Sequence, residues 1–252
     1  MKTISRREML KMTGGTATLS LLGMPMSAKG ESSQPQDKAK RKVLVIGAHP
    51  DDPETGCGGT IILLAKAGYE VVSVYLTRGE AGIEGKTHDE AANIRTEEAL
   101  NACKIMGVRA EFLTQIDGSC EINTNRYDEM YHFIQKENPD VVITHWPIDS
   151  HRDHRICSIL VYDTWLRMHR AFSLYYFEVM SGEQSQHFAP TNYVDITSVV
   201  EEKHKACFCH TSQGIPELFK ESHGPMEQFR GMQGNCKYAE AFIKLDQVPL
   251  TF

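Results

Sequence analysis

Residues 42–60 read Lys-Val-Leu-Val-Ile-Gly-Ala-His-Pro-Asp-Asp-Pro-Glu-Thr-Gly-Cys-Gly-Gly-Thr, and this stretch constrains the fold more than any other. Residues 43–46 form a continuous apolar run rich in β-branched side chains. That is the pattern of a central strand covered on both faces of a parallel sheet. The run stops at Gly47-Ala48, and His49-Pro50-Asp51-Asp52 follows at once. In open α/β sheets, ligands bind in the crevice beyond the carboxyl ends of the strands. One histidine and two aspartates therefore stand where such a fold keeps its chemistry. Pro50 fixes its own φ and biases His49 toward an extended backbone, which presents these side chains stiffly. Gly56, Gly58 and Gly59 are expected to let the chain turn closely before a helix begins near Thr60.

Taken alone, the stretch could be a strand, a polar turn and an aspartate helix cap. A second cluster argues against that reading. Residues 141–144, Val-Val-Ile-Thr, form another buried-strand run, and it leads into His145-Trp-Pro-Ile-Asp149-Ser-His151-Arg-Asp153-His154. A catalytic zinc site takes three protein ligands from His, Asp or Glu and keeps one position open for water. His49, Asp52 and His154 supply a nitrogen, oxygen, nitrogen set from two strand ends. Zinc is the expected metal, with another divalent ion such as Fe2+ as the alternative. Asp51 is surplus to the ligand set yet adjacent to it, the placement of a general base. His145 is read as a supporting histidine behind the ligands, with a fourth-ligand role as the alternative. Asp153 is expected to orient His151 through the carboxylate–imidazole arrangement. A cationic His151 would then stabilise an oxyanion.

At this point the sequence resembles the PIG-L/LmbE-like zinc-dependent N-deacetylases. Ala48-His49-Pro50-Asp51-Asp52 matches the first motif of that family, and His151-Arg-Asp153-His154 matches its His-x-Asp-His motif. Thr77-Arg-Gly-Glu80-Ala-Gly82 is similar to its Gly-Glu loop, and Asp117-Gly118 to the loop after its third strand. Arg95 with Glu98, ahead of Met106-Gly107-Val108, is similar to its helix. Residues 206–213 and 238–242 are similar to its C-terminal segments. Pro53, followed by Glu54, and Asp149 depart from the usual pattern. The resemblance implies a Rossmann-like, mostly parallel α/β sheet with helices on both faces. It also implies an N-acetylated amino-sugar substrate containing GlcNAc. Arg95 and Asp117 would then hold sugar hydroxyls, since a guanidinium fork and a carboxylate each make paired hydrogen bonds. Glu80 would be a third substrate contact or a residue behind it. The bland alternative for Arg95 is a surface ion pair with Glu98 or another acid, worth little. Two rival functions are a metal-dependent phosphoesterase, which usually needs two metals, and a non-catalytic sugar-binding protein on the same fold.

The rest of the chain fits an exported enzyme. Residues 5–11, Ser-Arg-Arg-Glu-Met-Leu-Lys, resemble a twin-arginine signal, and small residues at Ser27-Ala28 suggest cleavage nearby. The apolar stretch between them is too short and polar for a spanning helix, so no stable membrane anchor is expected after cleavage. Residues 1–28 are thus read as signal peptide, 29–41 as a linker and 42–252 as one deacetylase domain, placed in the periplasm. The chain carries net charge -6, and its basic signal leaves the remainder more acidic still. It has no electrostatic footprint for nucleic acid. Seven cysteines cannot all pair internally, and Cys207 and Cys209 lie two apart, so they do not share a helix face. Strands are expected near 42–47, 70–76, 109–113, 140–145, 174–179 and 193–196. Helices are expected near 59–68, 88–107, 126–138, 153–168, 197–210 and 237–244.

Replacing both Arg6 and Arg7 by Lys should leave the precursor in the cytoplasm, as read by cell fractionation. Unchanged export of that variant would assign residues 1–28 another role.

Overall fold

Strand β1 (Lys42–Gly47) alternates its side chains between two cores. Leu44 and Ile46 enter one with Met130, Ile134 and Leu160, whereas Val43 and Val45 enter the other with Ile61, Ala99 and Phe177. A strand apolar on both faces has to be covered on both faces, and the chain supplies helices for each. The computed structural model describes residues 41–246, so the signal segment and most of the linker lie outside the described residues.

The sheet has seven strands in the order β3-β2-β1-β4-β5-β7-β6. β2 (Glu70–Tyr75), β3 (Arg109–Phe112), β4 (Val141–His145) and β5 (Ser173–Phe177) join β1 in parallel register. β6 (Asn192–Asp195) and β7 (Ala239–Lys244) close one edge as antiparallel strands. β1 lies between β2 and β4, so strand order reverses there and a crevice opens beyond the ends of β1 and β4. This is the doubly wound α/β architecture the sequence predicts. Helices α1 (Asp52–Lys66), α2 (His88–Met106), α3 (Thr124–Glu137), α4 (Arg152–Arg167) and α5 (Val200–Cys207) make the connections. None of the described helices is long and apolar enough to cross a membrane.

Two expectations require correction. Helix α1 begins at Asp52, not near Thr60, so its three glycines lie inside the helix. Their task is close approach: a Cβ on Gly56 would sit 2.5 Å from Phe177 Cδ2, and one on Gly59 2.5 Å from Ile196 Cγ2. Second, residues 239–244 form β7 rather than a helix, because the open edge of β5 takes up their backbone groups. The segment after residue 210, for which the sequence suggests no element, is helical: α6 (Ile215–Leu218), a π-helical turn at Phe219–His223, and α7 (Gly224–Gln233). All seven cysteines are free thiols, five of them buried.

A buried ionic knot ties these late elements to α1. Lys203 is fully buried, with Nζ 2.8 Å from both Glu227 Oε1 and Glu240 Oε1. Glu240 in turn accepts the Gly59 and Thr60 amides at 2.8 Å each. Removing one partner of a buried ion pair leaves an uncompensated charge and costs about 3–5 kcal/mol. Lys203→Ala should therefore lower unfolding free energy by about that amount in denaturant titrations. A loss under about 1 kcal/mol, the ceiling for an exposed pair, would refute the knot.

Candidate metal centre

The turn after β1 is held by the carboxylate of Asp52. Its Oδ2 accepts the amides of Ala48 at 3.0 Å and His49 at 2.7 Å. Its Oδ1 is left to face His154 Nε2 at 3.4 Å. His49 approaches the same carboxylate through Nδ1, 3.4 Å from Oδ2. The far nitrogen of each imidazole meets another acid: His49 Nε2 lies 3.1 Å from Asp117 Oδ1 and 3.4 Å from Asp153 Oδ2, and His154 Nδ1 lies 3.2 Å from Asp149 Oδ1. Carboxylates behind ligating histidines fix the tautomer and raise basicity. His49 Nδ1, Asp52 Oδ1 and His154 Nε2 are the atoms so prepared.

Single ligand atoms converge within 4.8 Å in three overlapping groups: His49/His151/His154, Asp52/His145/His154 and His49/Asp117/Asp153. The predicted ligand triad is divided between the first two groups, which share His154. The charges fit a dication. Asp51, Asp52 and Asp117 line the cavity against one permanent cation, Arg95. Burial alone would lower the pKa of His49, but Asp117, Asp153 and Asp52 raise it well above its ordinary value. Burial alone would raise Asp52, but His154 and His145 hold it well below the usual carboxylate range. A proton on His49 thus balances acids that a metal ion would balance, and metal uptake would displace it.

Asp51 sits beside this centre with φ of 121°, a conformation L residues rarely adopt. Such a backbone costs on the order of 1–3 kcal/mol and persists only where the surroundings enforce it. Arg95 is the enforcing group. Its Nη2 donates to Pro50 O at 2.6 Å and to Asp51 Oδ2 at 3.2 Å. The loop at Gly79, itself at φ +72°, wraps so closely that a Cβ there would lie 2.5 Å from Arg95 Cδ. Arg95 is buried and makes no pair with Glu98, whose carboxylate instead takes Thr211 and Ser212. Burial pushes the Asp51 pKa up to about 6, against the opposing pull of Arg95.

Other predicted residues are placed differently from expectation. Glu80 is buried outside the cavity and accepts the amides of Arg78 and Asp117, so it holds the Asp117 loop rather than facing substrate. Asp153 backs His49, not His151. His151 caps α4, its Nδ1 accepting the Asp153 amide at 3.2 Å. That nitrogen carries no proton, and burial with His49 and His154 lowers the ring's pKa. His151 is accordingly a neutral Nε2–H donor, not the expected cation. His145 stacks on His154 at 4.0 Å, and its Nε2 lies 3.1 Å from both Asp52 Oδ2 and the Ala48 amide nitrogen, against the carboxylate that closes the turn. His210 is buried behind the site, 3.6 Å from Glu54.

The cavity, about 480 Å³, is also lined by Gln184, Gln213, Ile215, Leu218 and His223, none of which the sequence motifs single out. They come from turns and a π-helical segment without the periodicity that flags an element. The loop after β5 is bound to the metal side by Ser185. Its Oγ donates to Asp149 Oδ2 at 3.0 Å and accepts the Val179 amide at 2.8 Å.

The fold, a crevice at the strand reversal and two carboxylate-backed histidines around Asp52 define a doubly wound α/β protein with a candidate metal centre. The family model described as PIG-L, GlcNAc-PI de-N-acetylase, matches residues 44–165. Diacetylchitobiose deacetylase of Thermococcus kodakarensis is 30% identical over 218 residues, covering 79% of this chain and 81% of that protein. The 4-oxalmesaconate hydratase of Pseudomonas putida is 26% identical over 201 residues, covering 72% and 78%. Among solved structures, N,N'-diacetylchitobiose deacetylase from Pyrococcus horikoshii, in complex with an inhibitor, has a TM-score of 0.71 at 27% identity, covering 82% and 85%. The chain belongs to the PIG-L family.

Removing a carboxylate behind a ligating histidine typically costs 10–100-fold in metal affinity. Asp149→Ala should therefore weaken divalent-metal binding by about that factor in competition with a chelator. His154→Ala should purify without metal. Full retention of metal in both variants would remove the centre.

Proposed function

We propose that the chain is a metal-dependent amidohydrolase that removes the acetyl group from an N-acetylated, GlcNAc-containing glycan or glycoconjugate. The observation that carries this reading is Asp51: a carboxylate next to the ligand Asp52, held out of it by Arg95, with a pKa of about 6. A general base works best with a pKa near the operating pH. His49, Asp52 and His154 would hold the metal, zinc or an ion such as Fe2+. When bound, that ion polarises the amide carbonyl and acidifies a water molecule.

Asp51 takes the proton of the attacking water, and Arg95 keeps its carboxylate aimed while Asp52 turns the other way. His151 donates its Nε2–H to the carbonyl oxygen as negative charge grows there. Asp51 then returns the proton to the departing amine nitrogen. Asp117 gives one oxygen to His49, and its other, 3.7 Å from Arg95, is the candidate contact for a sugar hydroxyl.

The hydratase relative raises a second chemistry, addition of water to a carbon–carbon double bond. The substrate in that protein's name is rich in carboxylates, and such a substrate needs cations to receive it. Arg95 is the one lining cation, and its charge is already met by Asp51 and Asp117. The lining therefore favours the deacetylase reading. A phosphoesterase meets the same objection.

Acetate release tests the reading. Asp51→Asn should keep its metal and lose roughly 10²–10⁴-fold in kcat on N-acetylglucosaminides. Because Asp51 must be ionised to act, kcat/KM should fall as pH drops through about 6, or lower when a bound cation favours the carboxylate. An active Asp51→Asn enzyme, or deacetylation of a simple N-acetyl amine as readily as of the sugars, would refute the assignment.

A further inference from the structure

The deacetylase reading places the acetamido group against the metal side of the cavity, and what its sugar is joined to must rest on the remaining wall. Six residues supply that wall: Val179, Gln184, Gln213, Ile215, Leu218 and His223. None carries a charge at neutral pH. Burial, with the charge of Lys203 adding to it, pushes His223 down to about 4, so its ring is a neutral imidazole. Its Nδ1 meets Ser222 Oγ at 3.1 Å.

Arg95, the cavity's sole permanent cation, is occupied by Pro50 O, Asp51 and Asp117. Arg152 reaches Gly118 O but does not line the cavity. A phosphate or carboxylate on the aglycone would therefore lose water without gaining a cationic partner from this wall. Burying an unpaired charge is expensive, and like charges across an interface reject a partner. An uncharged polyol meets none of these costs. The Gln184 carboxamide has no partner among the described residues, so it offers a donor and an acceptor. Gln213 gives its Nε2 to Gly82 O at 3.1 Å and leaves Oε1 as an acceptor. Val179, Ile215 and Leu218 supply apolar surface for the C–H faces of a ring.

We propose that this wall is a subsite for an uncharged sugar or polyol residue, so that the substrate class is a neutral N-acetylated oligosaccharide or glycoside rather than a phosphate- or carboxylate-bearing conjugate. The proposal rests on the deacetylase reading. Leu218 and Gln184 are its selective positions, since each stands on a separate segment and neither lies in a core.

The test measures kcat/KM for acetate release from N,N'-diacetylchitobiose, N-acetylglucosamine and an N-acetylglucosaminyl phosphate. The wild-type protein, Leu218→Arg and Gln184→Lys are compared, with folding checked by circular dichroism. The wild type should prefer the disaccharide to the phosphate by at least about tenfold, and each added cation should narrow that ratio by roughly tenfold. Leu218 is 40% exposed, so its replacement is compatible with the fold. Equal wild-type rates on neutral and anionic substrates would overturn the subsite while leaving the deacetylase reading intact, as would an unchanged ratio in both folded variants. Acetate from none of the three substrates would overturn the deacetylase reading and the subsite with it.

Discussion

One oxygen of Asp52 decides how the chain leaves β1. By accepting the Ala48 and His49 amides together, it closes the turn and starts α1 at that residue. Everything at the site is set by this clamp. It directs Oδ1 toward His154, fixes the position of His49, and leaves Asp51 in a backbone conformation that throws its carboxylate the other way, onto Arg95. Two adjacent aspartates thereby acquire opposite tasks. Asp52 is stabilised as an anion by imidazoles and amides, while Asp51, poorly hydrated, keeps a proton affinity useful near neutral pH. Separation of two acids by environment rather than by residue type is a general route to acid–base chemistry.

The surrounding charges are arranged so that few are left unbalanced. Glu178 is held by both Arg230 nitrogens, Nε at 2.5 Å and Nη2 at 2.7 Å, and Lys203 is held by two glutamates. The cavity differs, since its carboxylates outnumber its cations. Buried anions of that kind persist when something positive arrives to meet them. That excess of carboxylates stands where a cation would be useful.

Much of this was legible in the sequence because the information was local. A β-branched run ending in His-Pro-Asp-Asp specifies strand, turn and ligand positions within ten residues, and the second histidine cluster follows its strand in the same way. The parallel strands were accordingly placed within a residue or two. What could not be read was set by distant partners. Residues 239–244, with alanines that favour helix, become a strand because β5 and β6 bracket them. Glycines that suggest a turn sit within a helix because Phe177 and Ile196 press on it. The sequence pairs Asp153 with His151, two residues before it, whereas the fold brings it to His49, more than a hundred residues earlier. The wall residues from 213 to 223 carry no pattern that distinguishes them from a surface loop.

Ser185 has an implication for how such an enzyme could change its preferences. The loop that offers Gln184 to the cavity is stapled by that hydroxyl to Asp149, the acid that steadies His154. Two backbone bonds, Ser150 N to Gln184 O and Gln186 N to Ile148 O, reinforce the staple. In the proposed deacetylase, selectivity and metal retention would consequently not be independent traits. A lineage that lengthened or exchanged this loop to accept a new glycan would loosen the histidine at the same stroke. New specificities would be expected to arise first on the α6 side, where the wall can drift without disturbing the ion.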